Sequence, residues 1–143
     1  MATRSTITAR LSDGTYRSVY CHYDGYPEGP HGVGWKLQHY YNSQELAERV
    51  TSLGPLSFLE PSCDAPHGHT YETPVEGHTV AYCRDRGDSF ESSLHSTGST
   101  YENVLNTIGY QEYNYLWDGA RWQLISDDPA DVLRFTSCGG VPA

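Results

Sequence analysis

The chain has 143 residues, 37% of them hydrophobic and 13% aromatic, and its 18 acidic against 9 basic residues give a formal charge of −9. That length fits one domain able to bury a core without metal or disulfide staples, and the aromatic content lies outside the range of disordered chains. The negative charge argues against direct nucleic-acid binding and attachment to anionic membranes, which leaves small ligands and cationic protein surfaces as partners.

In chain order, residues 5–10 and the first half of 18–27 are β-favouring and pair across Leu11-Ser-Asp13-Gly14-Thr15, where Asp-Gly suits a tight hairpin turn. The second half of 18–27 concentrates Cys21, His22, Tyr23, Asp24 and Tyr26 at the strand end, more chemistry than a turn requires. After a Gly- and Pro-rich loop, Val33, Trp35, Leu37, Tyr40 and Tyr41 begin a short helical pattern. Asn42-Ser43 then caps a second helix over 44–53, with Leu46, Ala47, Val50 and Leu53 at helical spacing before Gly54-Pro55 ends it. Residues 57–61 read as a connection anchored by Leu56, Phe58 and Leu59, and 61–77 as a long structured loop.

Residues 78–84 alternate as a strand interior to the sheet, with Arg84-Asp85-Arg86-Gly87-Asp88 as its charged exit. The Ser-rich stretch 89–98 reads as irregular. Ser99 or Thr100 caps a helix through Ile108, whose apolar face is Tyr101, Val104, Leu105 and Ile108. A second hairpin spans 110–117 and 121–125 around Asp118-Gly119, and a helical turn at 129–133 precedes a loose tail from about residue 134. The expected architecture is a single α+β domain over residues 1–143. Two hairpins and a middle strand form an antiparallel sheet, with two or three helices packed mainly on one face.

No run of about 18 apolar residues exists to span a bilayer, and Met1-Ala-Thr-Arg-Ser-Thr lacks the apolar core of a secretion signal. The expected compartment is the cytoplasm, and there Cys21, Cys63, Cys83 and Cys138 are thiols rather than two disulfides. His22, His31, Cys63, His67, His69 and Cys83 include zinc-type donors, but no pair has the close spacing of a structural zinc site. His22 near Asp24, with Cys21 as nucleophile, would follow triad logic, yet neither a nucleophile elbow nor an oxyanion hole accompanies it. Arg84 and Arg86 share a side if their strand continues. Their planar forks then suit phosphate or carboxylate, or else ion pairs with the chain's own carboxylates.

Four segments carry a resemblance: Thr3-Arg4-Ser5-Thr6-Ile7, Val19-Tyr-Cys-His-Tyr-Asp-Gly-Tyr-Pro27, Leu53-Gly-Pro-Leu-Ser57 and Val80-Ala-Tyr-Cys-Arg-Asp-Arg-Gly87. Together, over most of the chain, they resemble a group of small proteins encoded by tailed bacteriophages. Tyr23 stands where that group has Trp, and Cys83 where it usually has Gly. The resemblance implies phage origin and the host cytoplasm, and it brings no reaction with it.

The expectation that follows is a non-catalytic accessory protein that counters host defence, without a cofactor. It would sequester a small anionic, nucleotide-type ligand through Tyr20, His22, Asp24, Tyr26, Arg84 and Arg86. One alternative is an acidic inhibitor of a host defence protein such as a CRISPR effector or restriction enzyme, with Asp127, Asp128 and Asp131 as its tightest acidic group. Another is a metal-dependent hydrolase centred on His22, Asp24, His67 and His69. A homo-oligomer is compatible with each.

Overall fold

The computed structural model describes residues 2–89 and 94–125; the helical turn and tail expected after Ile125 lie outside them. Among the described residues four helices accompany a mixed seven-stranded sheet, an α+β fold. Strands β1 (Ser5–Arg10) and β2 (Tyr16–Cys21) form the first hairpin, with Ser5 opposite Cys21 and Arg10 opposite Tyr16. Asp13 fastens its turn by accepting from the Thr15 N–H at 2.9 Å and the Thr15 hydroxyl at 2.6 Å. Strands β6 (Tyr113–Trp117) and β7 (Trp122–Ile125) form the second, where Asp118 accepts from the N–H groups of Ala120 and Arg121 at 2.8 and 2.9 Å.

The two hairpins join through β1 and β6, which run parallel, so the sheet is mixed and not the antiparallel one expected. A second parallel contact links Cys21 of β2 to Leu56 of β3 (Leu56–Phe58). The free edge of β2 has N–H and C=O groups that need partners, and two short segments supply them. Strand β5 (His95–Gly98) pairs with its first four residues and β3 with its end. Segments 56–58 and 95–98, expected as a connection and as irregular chain, are therefore strands. Runs of three and four residues are too short for alternation to declare itself.

The strand expected over 78–84 is β4 (Val80–Ala81) alone, on the edge of the sheet beside β3 and not in its interior. Helix α3 (Tyr82–Arg86) replaces the rest. The Asp85 carboxylate reaches back to accept the Ala81 N–H at 2.8 Å, satisfying a donor at the helix start. Gly87, with φ +88°, ends the helix in the left-handed conformation that glycine adopts without strain.

Helices α1 (Val33–Tyr40) and α2 (Gln44–Thr51) cover one sheet face, and the Ser43 hydroxyl caps α2 by accepting from the Leu46 N–H at 3.2 Å. Ile7, Val19, Leu37, Tyr41, Val50 and Trp122 are the centre of this core, and the Trp122 indole N–H reaches the Tyr41 carbonyl at 3.1 Å. Leu46, read as part of the helix's apolar stripe, is 37% exposed. Alternate residues of β2 face the other way, where Tyr16 meets Tyr101 of α4 (Tyr101–Ile108), capped by Thr100. That face is polar beneath: Thr6 bonds Asn114 at 2.9 Å and Thr8 bonds Ser18 at 2.8 Å, all four buried.

Candidate functional site

Beyond the end of β2, on the face that carries α4, lies a cavity of about 530 Å³, in the range of small-ligand sites. Tyr20 and His22 form one wall because residues two apart on a strand share a face. Tyr82 and Arg86 of α3 and its exit form another, and Arg4, preceding β1, with Gln111, preceding β6, completes the floor. Two of the chain's nine basic residues thus meet in one cavity of an acidic protein.

The wall is internally ordered. The Tyr20 hydroxyl lies 2.6 Å from His22 Nδ1, while the Arg4 guanidinium interacts with the same hydroxyl. Tyr20 thus stands between the Arg4 charge and the His22 ring and ties the two sides of the wall together. Burial lowers the His22 pKa and the Arg4 charge lowers it further, so the imidazole is neutral at pH 7. Burial likewise raises the Tyr20 pKa, which keeps its proton available as a donor.

Arg86 is held on three sides. Its guanidinium carbon stands 4.4 Å from the Tyr82 ring centre and 4.8 Å from that of Tyr71. Its Nε and Nη2 donate to the two Asp88 carboxylate oxygens at 3.0 and 2.7 Å.

Of the six residues expected to contact ligand, the cavity gathers Tyr20, His22 and Arg86. Asp24, Tyr26 and Arg84 are placed elsewhere. Asp24 has φ +59°, and this left-handed bend ends the alternation that aligns Tyr20 with His22. Its carbonyl accepts from the Val33 N–H at 2.8 Å and so seats α1, while the Tyr26 hydroxyl lies 3.5 Å from its carboxylate. Arg84 and Arg86 point to different places because α3 is a helix, on which residues two apart lie on opposite sides. Arg84 donates to the Cys63 carbonyl, to the Thr79 carbonyl at 2.9 Å, and through Nε and Nη2 to Asp85 at 2.9 and 3.0 Å. Its fork is spent on the scaffold.

Arg4, Tyr82, Gln111 and Asp88 were not anticipated at the site. The hairpin register contains the signal for Arg4: Thr6 faces Tyr20, so two residues outward Arg4 faces His22.

The nucleophilic arrangement is not assembled. Cys21 points into the core, away from His22, and burial pushes its thiol up to about 12. Cys63 and Cys83 are also buried free thiols, and Cys138 lies outside the described residues. Among the described residues no three His, Cys, Asp or Glu side chains come together as a metal-ligating group. His67 is exposed, and His69 is buried, with Nδ1 accepting from the Val75 N–H at 2.9 Å and Nε2 3.0 Å from the Thr79 carbonyl. The acidic group Asp127, Asp128 and Asp131 lies outside the described residues.

No protein-family model, curated protein or solved structure matches this chain. Among the described residues no helix is long and apolar enough to cross a membrane.

Proposed function

We propose that this protein is a non-catalytic binder of a small anionic, nucleotide-type ligand, and that it serves a bacteriophage as an accessory protein against host defence. The observation that supports the binding reading is the convergence of Arg4 and Arg86 with Tyr20, His22 and Tyr82 on one cavity. Guanidinium groups receive a phosphate or carboxylate, and the aromatic walls offer a face to a planar base. The phage assignment rests on the sequence resemblance, and a signal-sequestering role joins the two.

The test is calorimetric titration with a panel of mono-, cyclic and dinucleotides, together with recovery of any retained ligand after heat denaturation. A nucleotide that binds at micromolar or lower concentration is expected to lose about tenfold or more in affinity with Arg86→Gln or Arg4→Gln, the effect of one charge-assisted hydrogen bond. If no member of the panel binds, or if both variants bind as the wild type does, the reading is wrong.

His22 gives this site a pH dependence. Its pKa lies below the ordinary 6.5, so lowering the pH from 7 to about 5 adds positive charge to the wall and raises affinity for an anion. A phosphodiester probe, whose own charge is constant over that range, should bind more tightly at the lower pH to the wild type and equally at both to His22→Gln. A flat wild-type profile would remove His22 from the binding wall.

A further inference from the structure

We infer that the cavity selects ligands bearing a single negative charge, a phosphodiester or carboxylate on a planar group, and that Asp88 sets this limit. The inference rests on the reading of the cavity as an anion site and concerns which anions enter it.

Among the described residues, the charged side chains that line the cavity are Arg4, Arg86 and Asp88. Asp88 takes both Nε and Nη2 of Arg86, the two-point geometry in which a carboxylate or phosphoryl group would be received. Tyr71 and Tyr82 flank the same guanidinium, which fixes Arg86 beside its internal partner. With His22 neutral, the described lining residues carry one positive charge in excess, centred on Arg4 because Asp88 pairs with Arg86. A carboxylate oxygen of Glu112 stands 3.4 Å from the Arg4 backbone nitrogen, adding negative potential on that side. The net charge of −9 does the same from further away.

A singly charged ligand balances this lining. A triphosphate brings several further charges against Asp88, whose carboxylate is held ionised by Arg86. Its repulsion is the selecting force, as an unfavourable contact built against the wrong ligand.

The experiment compares, for each of the four ribonucleosides, the cyclic monophosphate, the 5′-monophosphate and the 5′-triphosphate. Wild type, Asp88→Asn and Asp88→Ala are titrated in parallel. Asp88 and Arg86 are a surface pair with side chains 36% and 41% exposed, so both variants are expected to fold, and thermal melts check this. The wild type should favour the cyclic form over the triphosphate by about tenfold or more. Both variants should shrink that preference to about threefold or less, chiefly through tighter triphosphate binding. A wild type that binds the triphosphate as well as the cyclic form overturns the inference while leaving the anion site standing. A preference that survives in both variants overturns the role of Asp88. If no nucleotide binds any of the three proteins, the inference and the reading beneath it fail together.

Discussion

Replacing Gly32 with alanine is expected to destabilise the fold by about 3 kcal/mol, at the upper end of what overpacking costs. A Cβ there would stand 2.3 Å from the backbone oxygens of both Glu28 and Tyr26. Neither oxygen can swing aside as a side-chain tip would, because each belongs to the turn that carries the chain from β2 into α1. The Gly32 N–H bonds the Glu28 carbonyl at 2.9 Å and the Gly34 N–H the Tyr26 carbonyl at 3.4 Å, so the added methyl must break the turn it enters. Urea unfolding gives the measurement; a midpoint within about 0.5 kcal/mol of wild type would show that the turn yields. Ligand affinity of the folded fraction should be unchanged, since Tyr20 and His22 precede the bend at Asp24. This separates the scaffold role of 24–32 from the binding role of the strand end.

The second large effect is expected at Asp85. Its side chain is 2% exposed and accepts from Arg84, from the Ala81 N–H at 2.8 Å, and lies 3.4 Å from His69 Nε2. Asp85→Ala strips the partly exposed Arg84 guanidinium of one of its partners and leaves a helix-start donor without its acceptor, a loss of about 2–3 kcal/mol at pH 7. The pH dependence follows from the carboxyl's pKa. Burial pushes it up, but the Arg84 hydrogen bonds, the Ala81 N–H and nearby positive charge more than offset this and hold it below the ordinary 3.8. A carboxylate with a depressed folded pKa contributes stability that is present above its unfolded pKa and disappears as pH falls through the folded value. The gap between wild type and Asp85→Asn should therefore be widest at neutral pH and narrow below about pH 4. An equal gap at pH 7 and at pH 2.5 would place the contribution of Asp85 in its shape rather than its charge.

Local chemistry made both hairpins readable before any tertiary information. Asp13-Gly14 and Asp118-Gly119 set their turns with bonds inside five residues, and Ser43 and Thr100 set their helix starts in the same way. Strands β3 and β5 were hidden because their existence depends on a vacancy along β2 that no local pattern announces. At 82–86 the β-favouring run Val80-Ala-Tyr82-Cys83 competes with a helix whose first donor Asp85 satisfies and whose end Gly87 permits, and the helix prevails. That one reversal moves Arg84 out of the site and leaves Arg86 in it. Asp24 and Tyr26 were misplaced for a related reason: their composition resembles a ligand knot, but a positive φ at Asp24 turns them into the seat of α1. Arg4 was within reach, since counting outward from the first turn brings it opposite His22.

The parallel pairing of β1 with β6 also orders events in time. Ser5 and Tyr113 are register partners, so β1 gains its second neighbour only when β6, far along the chain, has been made. Until then β1 has β2 on one side alone, while β2 can already take β3 and β5 along its other edge. The central strand of the sheet is thus completed late, through contacts whose wide sequence separation slows the search. A nascent chain released before β6 emerges would present the edge of β1 unpaired, and with it the half-built floor of the cavity that Arg4 and Gln111 close together.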